Sequence, residues 1–492
     1  MSKNRAMSWE NISATWEKDN RYGVRINSNA HCCSTNRIDE GYAVKEQIAD
    51  FGIRSTMKIL HSNPEKALPR LVNIADTFAH STFPSQMDMI KEAIGNTDSN
   101  IYKMLVRVLK ERDADEVDNL VTNFLMNAGV KGWNKQKELR EKYNCNIPWA
   151  ILLDPTSACN LHCKGCWAAD YGNRLNLSYD DIDDIIRQGE ELGTYMYIYT
   201  GGEPLVRKDD LIKLCEAHPE CTFLCFTNGT LIDQKFCDDL KRVKNFVPAL
   251  SVEGNKETTD FRRGAGVYDR CVRAMNLMKE NGLIFGISCC YTSENYDVVS
   301  SSAYLDQMID WGAVFVWYFH YMPVGSDANI ELMCTPEQRE EMYHRIRHYR
   351  ETKSIFPMDF QNDGQSVQGC IAGGRRYFHI NANGDCDPCV FIHFSDRNIH
   401  DYSLLDCLRG PLFMAYHDGQ PFNENMLKPC PLLENPGKLT EMVNKTGAKS
   451  TNLEADESAE ELQARAEKYA ADWSDTADEI WKKHPHRMIF TR

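Results

Sequence analysis

The sequence predicts an α/β chain: a partial (β/α)6 barrel, preceded by an all-helical N-terminal domain and followed by a small cysteine-bearing α+β domain. Three observations carry this expectation. Short runs of β-forming residues alternate with helical patterns from residue 150 to 320, and such alternation implies parallel strands joined by right-handed crossovers. Residues 42–143 show helical patterns and no strand pair. Cysteines gather again after residue 370, around a hairpin-like stretch.

The N-terminal elements come first. Residues 1–40 are polar and mixed, a flexible arm in which Cys32-Cys33 has no explanation. Helical patterns follow over Val44–Ile53, Ala67–Phe78, Met87–Ile94, Ile101–Lys110, Glu116–Asn127 and Lys135–Tyr143. Pro64 and Pro69 punctuate helix starts, and Gly129 with Gly132 breaks the run before the last helix. Together, 41–145 form the helical domain. Such a module would cover the barrel mouth, bind an apolar substrate or mediate dimerisation.

The barrel, assigned to 146–353, begins with Ile151–Leu153 as its first strand. The next strands are Tyr195–Thr200, Thr222–Phe226, Val247–Val252, Ile284–Tyr291 and Val314–His320. Between them lie amphipathic stretches, the clearest being Asn176–Leu192, with Ser178 as N-cap and Asp181 three residues on. Six units are too few for a full eight-fold barrel, so a partial TIM-like barrel follows. In such folds the working groups gather where strand C-termini meet their loops.

Chemistry-bearing residues fall at those ends. Cys159, Cys163 and Cys166 follow the first strand with CxxxCxxC spacing. Three thiolates are one short of what closes a four-iron cluster, so one iron would stay open to another molecule. The plainer reading of three close cysteines is a zinc site or packed thiols. Gly201-Gly202-Glu203-Pro204 after the second strand argues against it. There two glycines allow close approach to a ligand, and a carboxylate can accept hydrogen bonds from an ammonium group. Thr227-Asn228-Gly229 ends the third strand, and Ser251 and Glu253 lie at the fourth.

On these motifs the chain resembles the radical S-adenosylmethionine (radical SAM) enzymes, from about Pro148 to about Pro323. The resemblance implies that Cys159, Cys163 and Cys166 hold a [4Fe-4S] cluster whose open iron is chelated by SAM. It implies that Gly201, Gly202 and Glu203 line the methionyl end and that Trp167 lies near the adenine. Asn228, Ser251 and Glu253 would sit by the ribose or carboxylate, with Arg263 on the carboxylate. The implied reaction is reductive cleavage of SAM to a 5′-deoxyadenosyl radical that abstracts hydrogen from substrate. A ferredoxin or flavodoxin would supply the electron.

Residues 354–440 carry the second cysteine group: Cys370, Cys386, Cys389, Cys407 and Cys430. The hairpin Tyr377–Ile380, with Asn383-Gly384 as its turn, looks like the SPASM or twitch extensions of radical SAM enzymes. Those bind auxiliary iron–sulfur clusters. The complete pattern has more cysteines, so one auxiliary [4Fe-4S] cluster is expected. Cys370, Cys389 and Cys430 are its ligands, with Cys386 fourth or that position open. Cys407, on a helical pattern, reads as a buried thiol. A structural zinc is the competing use of the same residues. Cys290 is placed with Cys215, Cys225 and other packed thiols. Residues 441–492 form an acidic linker and an amphipathic helix, Ala459–Lys482, packed on the barrel.

Composition bounds the partners. The chain has 492 residues, nineteen cysteines and a net charge of −15. That charge disfavours nucleic acid, since phosphate binding needs a basic face. The absence of a signal peptide or long apolar segment predicts a cytoplasmic, not membrane-spanning enzyme whose thiols are metal ligands. The last strand and its exit, Trp317–Gly325, carry aromatics whose plainer role is packing, and His320 and Tyr321 read as satisfied polar groups. The expected substrate is a small molecule or lipid-like acyl chain. The alternatives are a peptide maturase and, in a different class, a non-catalytic iron–sulfur carrier or sensor.

Overall fold

Six strands form the middle of the sheet: β1 (Ala150–Leu153), β2 (Met196–Tyr199), β3 (Thr222–Thr227), β4 (Phe246–Ser251), β5 (Gly286–Tyr291) and β6 (Phe315–His320). In this computed structural model, which describes residues 60–79, 84–169, 172–325, 327–453 and 456–483, each pairs in parallel with the next. β1, β2 and β4 are buried along their whole length. Helices cover a parallel sheet on its outer face, which is why these strands read as apolar runs. The helix Tyr179–Glu191 carries the predicted capping box, Ser178 and Asp181 each accepting from the other's backbone N–H.

Two further parallel strands extend the sheet. β7 (Phe356–Asp359) pairs with β6, so the barrel sheet continues past residue 353. β8 (Tyr377–Ile380) pairs in parallel with β1 and, as predicted, turns back antiparallel onto β9 (Cys386–Asp387). The order is β7-β6-β5-β4-β3-β2-β1-β8-β9. β7 and β8 are not hydrogen-bonded to each other, so the barrel stays partial. Phe360, just past β7, packs on Tyr377 of β8 with ring centroids 6.1 Å apart. The hairpin that carries the second cysteine group is therefore built into the barrel edge.

The N-terminal helices sit at the opposite end from the mouth. Arg107 donates to the carbonyls of Ile309, Ala313 and Ser354, Asn123 to those of Pro219 and Cys221, and Gln136 to that of Gly193. Ile309 lies in the last turn of the helix Ser302–Trp311, and the other acceptors lie in turns that precede strands. The helical module thus closes the base of the barrel, and the expectation that it covers the mouth is corrected. Two local readings also change. Pro69 lies inside the helix Pro64–Ala79 instead of starting one. Gly129 and Gly132 do not break the chain, which runs as a π-helix from Val121 to Gly132 and passes directly into Trp133–Tyr143. Val44–Ile53, Cys32 and Cys33 lie outside the described residues. No described helix is long and apolar enough to cross a membrane.

Candidate active site

The loop after β1 and the loop after β2 are locked together by backbone. Gly202 N–H donates to the Thr156 carbonyl (3.0 Å) and Glu203 N–H to that of Ala158 (2.9 Å). A Cβ on Gly202 would meet the Ala158 oxygen at 2.2 Å, and Gly201 takes φ +99°. The two glycines are therefore required by the cysteine loop itself, a different reason from the close ligand approach expected. Asn160, next to Cys159, joins the loop to the turn after β3: it donates to Thr230 and accepts from Asn228, both at 2.8 Å. Glu203 is buried and accepts from Thr227 Oγ1 (2.6 Å) and from the Asn228 and Leu205 N–H groups. Burial pushes its pKa up, against those hydrogen bonds.

These loops open onto a cavity of about 230 Å3 lined by Cys159, Cys163, Cys166, Trp167, Gly201, Gly202, Glu203, Asn228, Ser251 and Arg263. The structure thus brings together every predicted residue of the first site except Glu253. That carboxylate is fully buried behind the cavity wall, where Oε1 accepts from Arg262 (2.8 Å) and from Arg263 Nε (2.8 Å). Its expected place beside a ligand is corrected: it holds the two arginines that do line the cavity. Arg263 Nη1 in turn lies 4.0 Å from Cys163 Sγ. Burial opposes the charge of both arginines, yet Glu253 and the cysteines hold them charged. Burial pushes the Cys159 thiol up to about 12 and raises that of Cys166. A metal reverses this, because a coordinated thiol is deprotonated outright.

The cavity continues down the barrel between apolar side chains, including Leu152, Ile198, Phe226, Trp317, Phe319, Phe360 and Phe391. Trp317 and Phe319 are therefore cavity wall, not the packing stripe expected, while Val316 and Tyr318 on the other face are core. Cys290 also lines the cavity, unlike the packed thiols it was grouped with. His320 and Tyr321 line its rim, and both are satisfied: His320 by Tyr321 O and Tyr469, Tyr321 by the N–H of Asn329.

A second, smaller cavity of about 50 Å3 adjoins the first, sharing Met322, Phe360, Ile371, Tyr377 and Phe391 with it. Cys370, Cys389 and Cys430 line it. Cys386 does not. Its thiol faces Cys407 in the core, so the expectation of Cys386 as a fourth ligand is corrected: it points away because β9 turns it to the other side. Tyr377, which nothing in the sequence singled out, places its hydroxyl 2.8 Å from Cys389 Sγ. Burial pushes the Cys389 thiol up to about 12 and raises Cys370 and Cys430. Three cysteines lining one apolar cavity are the donor type that a cluster takes.

Residues 153–299, spanning both loops of the first site, match the Radical SAM superfamily. That stretch is a radical SAM domain. The radical SAM relatives include the AdoMet-dependent heme synthase of Oleidesulfovibrio alaskensis, 25% identical over 51% of this chain and 72% of that protein. The mycofactocin maturase MftC of Mycolicibacterium smegmatis is 27% identical over 53% of this chain and 67% of that protein. Among solved structures, Streptococcus suis SuiB with its precursor peptide SuiA superposes with a TM-score of 0.52 at 19% identity, covering 74% of this chain and 87% of SuiB. That likeness shows the fold. Radical SAM enzymes bind a [4Fe-4S] cluster and SAM and need a reductant, and auxiliary clusters accompany the type found here.

Proposed function

We propose that this radical SAM enzyme abstracts a hydrogen atom from a small-molecule or lipid-like substrate held in the barrel lumen. The observation that carries the reading is the continuous cavity that starts at Cys159, Cys163 and Cys166 and descends between apolar walls. Those three cysteines would hold the cluster, and Gly201, Gly202, Glu203, Asn228, Ser251, Arg263 and Trp167 would hold SAM. Cluster and SAM, once bound and given one electron by a ferredoxin or flavodoxin, supply a 5′-deoxyadenosyl radical. The chain's own part is to orient and to exclude. Arg262 and Arg263, fixed by Glu253, set positive charge beside the cysteine loop. The loop bonds between Thr156, Ala158, Gly202 and Glu203 hold one site against the other. Aromatic walls keep water and stray hydrogen donors from a reactive species. Cys370, Cys389 and Cys430 would hold an auxiliary cluster behind Tyr377 and Phe391, in reach of the same lumen.

The test is anaerobic reconstitution with dithionite and SAM. Formation of 5′-deoxyadenosine, lost in Cys163→Ala, supports the enzyme; a reducible cluster that leaves SAM intact supports a carrier. A peptide substrate is the second reading, favoured by the relatives MftC and the PqqA peptide cyclase of Granulibacter bethesdensis, 25% identical over 58% of this chain. Deuterium transfer into 5′-deoxyadenosine from labelled lipid or labelled peptide fractions separates the two.

A further inference from the structure

The end of the lumen farthest from the cysteines is lined by Trp149, Ala150 and Arg376. Among the described residues it is the one place deep in the barrel where a cation meets the cavity. Arg376 belongs to a cluster with Arg375 and Arg140, and none of the three pairs with a carboxylate among the described residues. Arg140 and Arg375 spend their donors on backbone carbonyls, Arg140 on Ile147 and Arg375 on Val367, Gly369 and Cys370. Arg376 makes one long bond, Nη1 to the Arg375 carbonyl at 3.3 Å, and rests 4.5 Å from the Trp133 ring centroid. Burial, with Arg375 and Arg140 adding to it, pushes its pKa down to about 9. A half-buried guanidinium without a counter-charge carries part of the cost of desolvation, and an incoming anion relieves it.

Resting on the reading of the lumen as a substrate site, we propose that Arg376 binds the anionic head of an amphipathic substrate. The head, a carboxylate or phosphate, would lie at the barrel base and the apolar chain would run up the lumen toward the cysteine loop. From Trp149 to Asp154 the extended chain covers roughly 17 Å at about 3.3 Å per residue, a span that suits a medium-length acyl chain. Arginine is the residue suited to the task, since its planar fork matches carboxylate and phosphate. The chain's methylenes would meet Leu152, Ile198, Phe226, Trp317 and Phe319.

Calorimetric titration of the reconstituted full chain with SAM present tests this, using decanoic acid, decyl phosphate and decanol as probes. The expected result is that one or both anions bind at least about tenfold more tightly than decanol, the tighter anion identifying the head. Arg376→Gln should bring the anions down to the affinity of decanol, and Arg376→Lys should keep part of the preference. Decanol binding in the Gln variant reports whether its lumen is intact; where it is lost, the Lys variant decides. Equal affinity of all three probes for the native protein overturns the inference, as does a preference that survives in Arg376→Gln. Failure of every probe to bind while 5′-deoxyadenosine still forms also overturns it and leaves radical chemistry standing; absence of SAM cleavage would instead remove the functional reading.

Discussion

The hydroxyl of Tyr469, on the C-terminal helix Ala459–Lys483, lies 3.1 Å from Nε2 of His320 on the cavity rim. His320 Nδ1 is 2.7 Å from the Tyr321 carbonyl, so Nδ1 carries the proton and Nε2 accepts from Tyr469. Burial and nearby Arg339 push the imidazole down to about 3, which keeps it neutral at physiological pH. Arg339 Nη1 donates to Tyr469 (3.2 Å), and its Nη2 pairs with Glu434 at 2.8 Å. Glu434 accepts from the N–H of Cys430 at 2.6 Å. A buried polar chain thus joins the rim of one cavity to a cysteine of the other through the C-terminal helix.

Tyr469→Phe keeps the ring and removes the hydroxyl, leaving His320 Nε2 and one Arg339 donor without partners. The expected loss is about 1–3 kcal/mol of unfolding free energy, the cost of an unsatisfied buried group. Urea unfolding measures it. Hydrogen exchange should show faster exchange across residues 459–483 in the variant.

Cys386 and Cys389 have only two residues between them in sequence but face different surroundings. Anaerobically reconstituted Cys386→Ala should retain the iron and acid-labile sulfide content of the native chain. Cys370→Ala, Cys389→Ala and Cys430→Ala should each lose iron. Equal losses from Cys386→Ala and Cys389→Ala would contradict the placement of Cys386 against Cys407.

Gly202→Ala should abolish SAM cleavage. The added methyl meets the Ala158 carbonyl at 2.2 Å, and backbone cannot yield there without moving the cysteine loop. The measurement is 5′-deoxyadenosine yield per chain, set beside iron content. Activity near native would show that the two loops are not rigidly joined.

Glu116, at the barrel base, is fully buried and accepts from Ile284 N–H at 3.0 Å. Burial pushes its pKa up to about 8 from 4.5. Because the folded value lies above the unfolded one, this acid favours folding below pH 4.5, and that contribution is lost as pH rises toward 8. Glu116→Gln removes the dependence. The variant should gain stability relative to the native chain between pH 5 and 8, by roughly 2–4 kcal/mol at the upper end, read from denaturant midpoints across pH.

The candidate site was legible where chemistry is local. CxxxCxxC and GGEP place their thiols and carboxylate within a few residues of a strand end, and a strand end in a parallel barrel has one place to go. Glu253 and Cys386 misled because their neighbours come from other elements: Arg262 and Arg263 turn back from the following helix, and Cys407 lies on a later one. Tyr377 gave no signal at all, since its role depends on β8 pairing with β1 across more than two hundred residues. Arg376 was equally silent in a stretch read only as a hairpin.

By itself, the sequence determined the six central strands, the helices between them and the thiols that gather at the mouth. Period and spacing encode those features, and each needs only neighbours along the chain. Tertiary structure alone decided that the N-terminal helices close the base, that the late hairpin joins the barrel edge, and that two cavities share a wall. Those outcomes depend on which buried backbone groups find partners across long stretches of chain, and a carbonyl in a turn does not announce which distant arginine or asparagine will reach it.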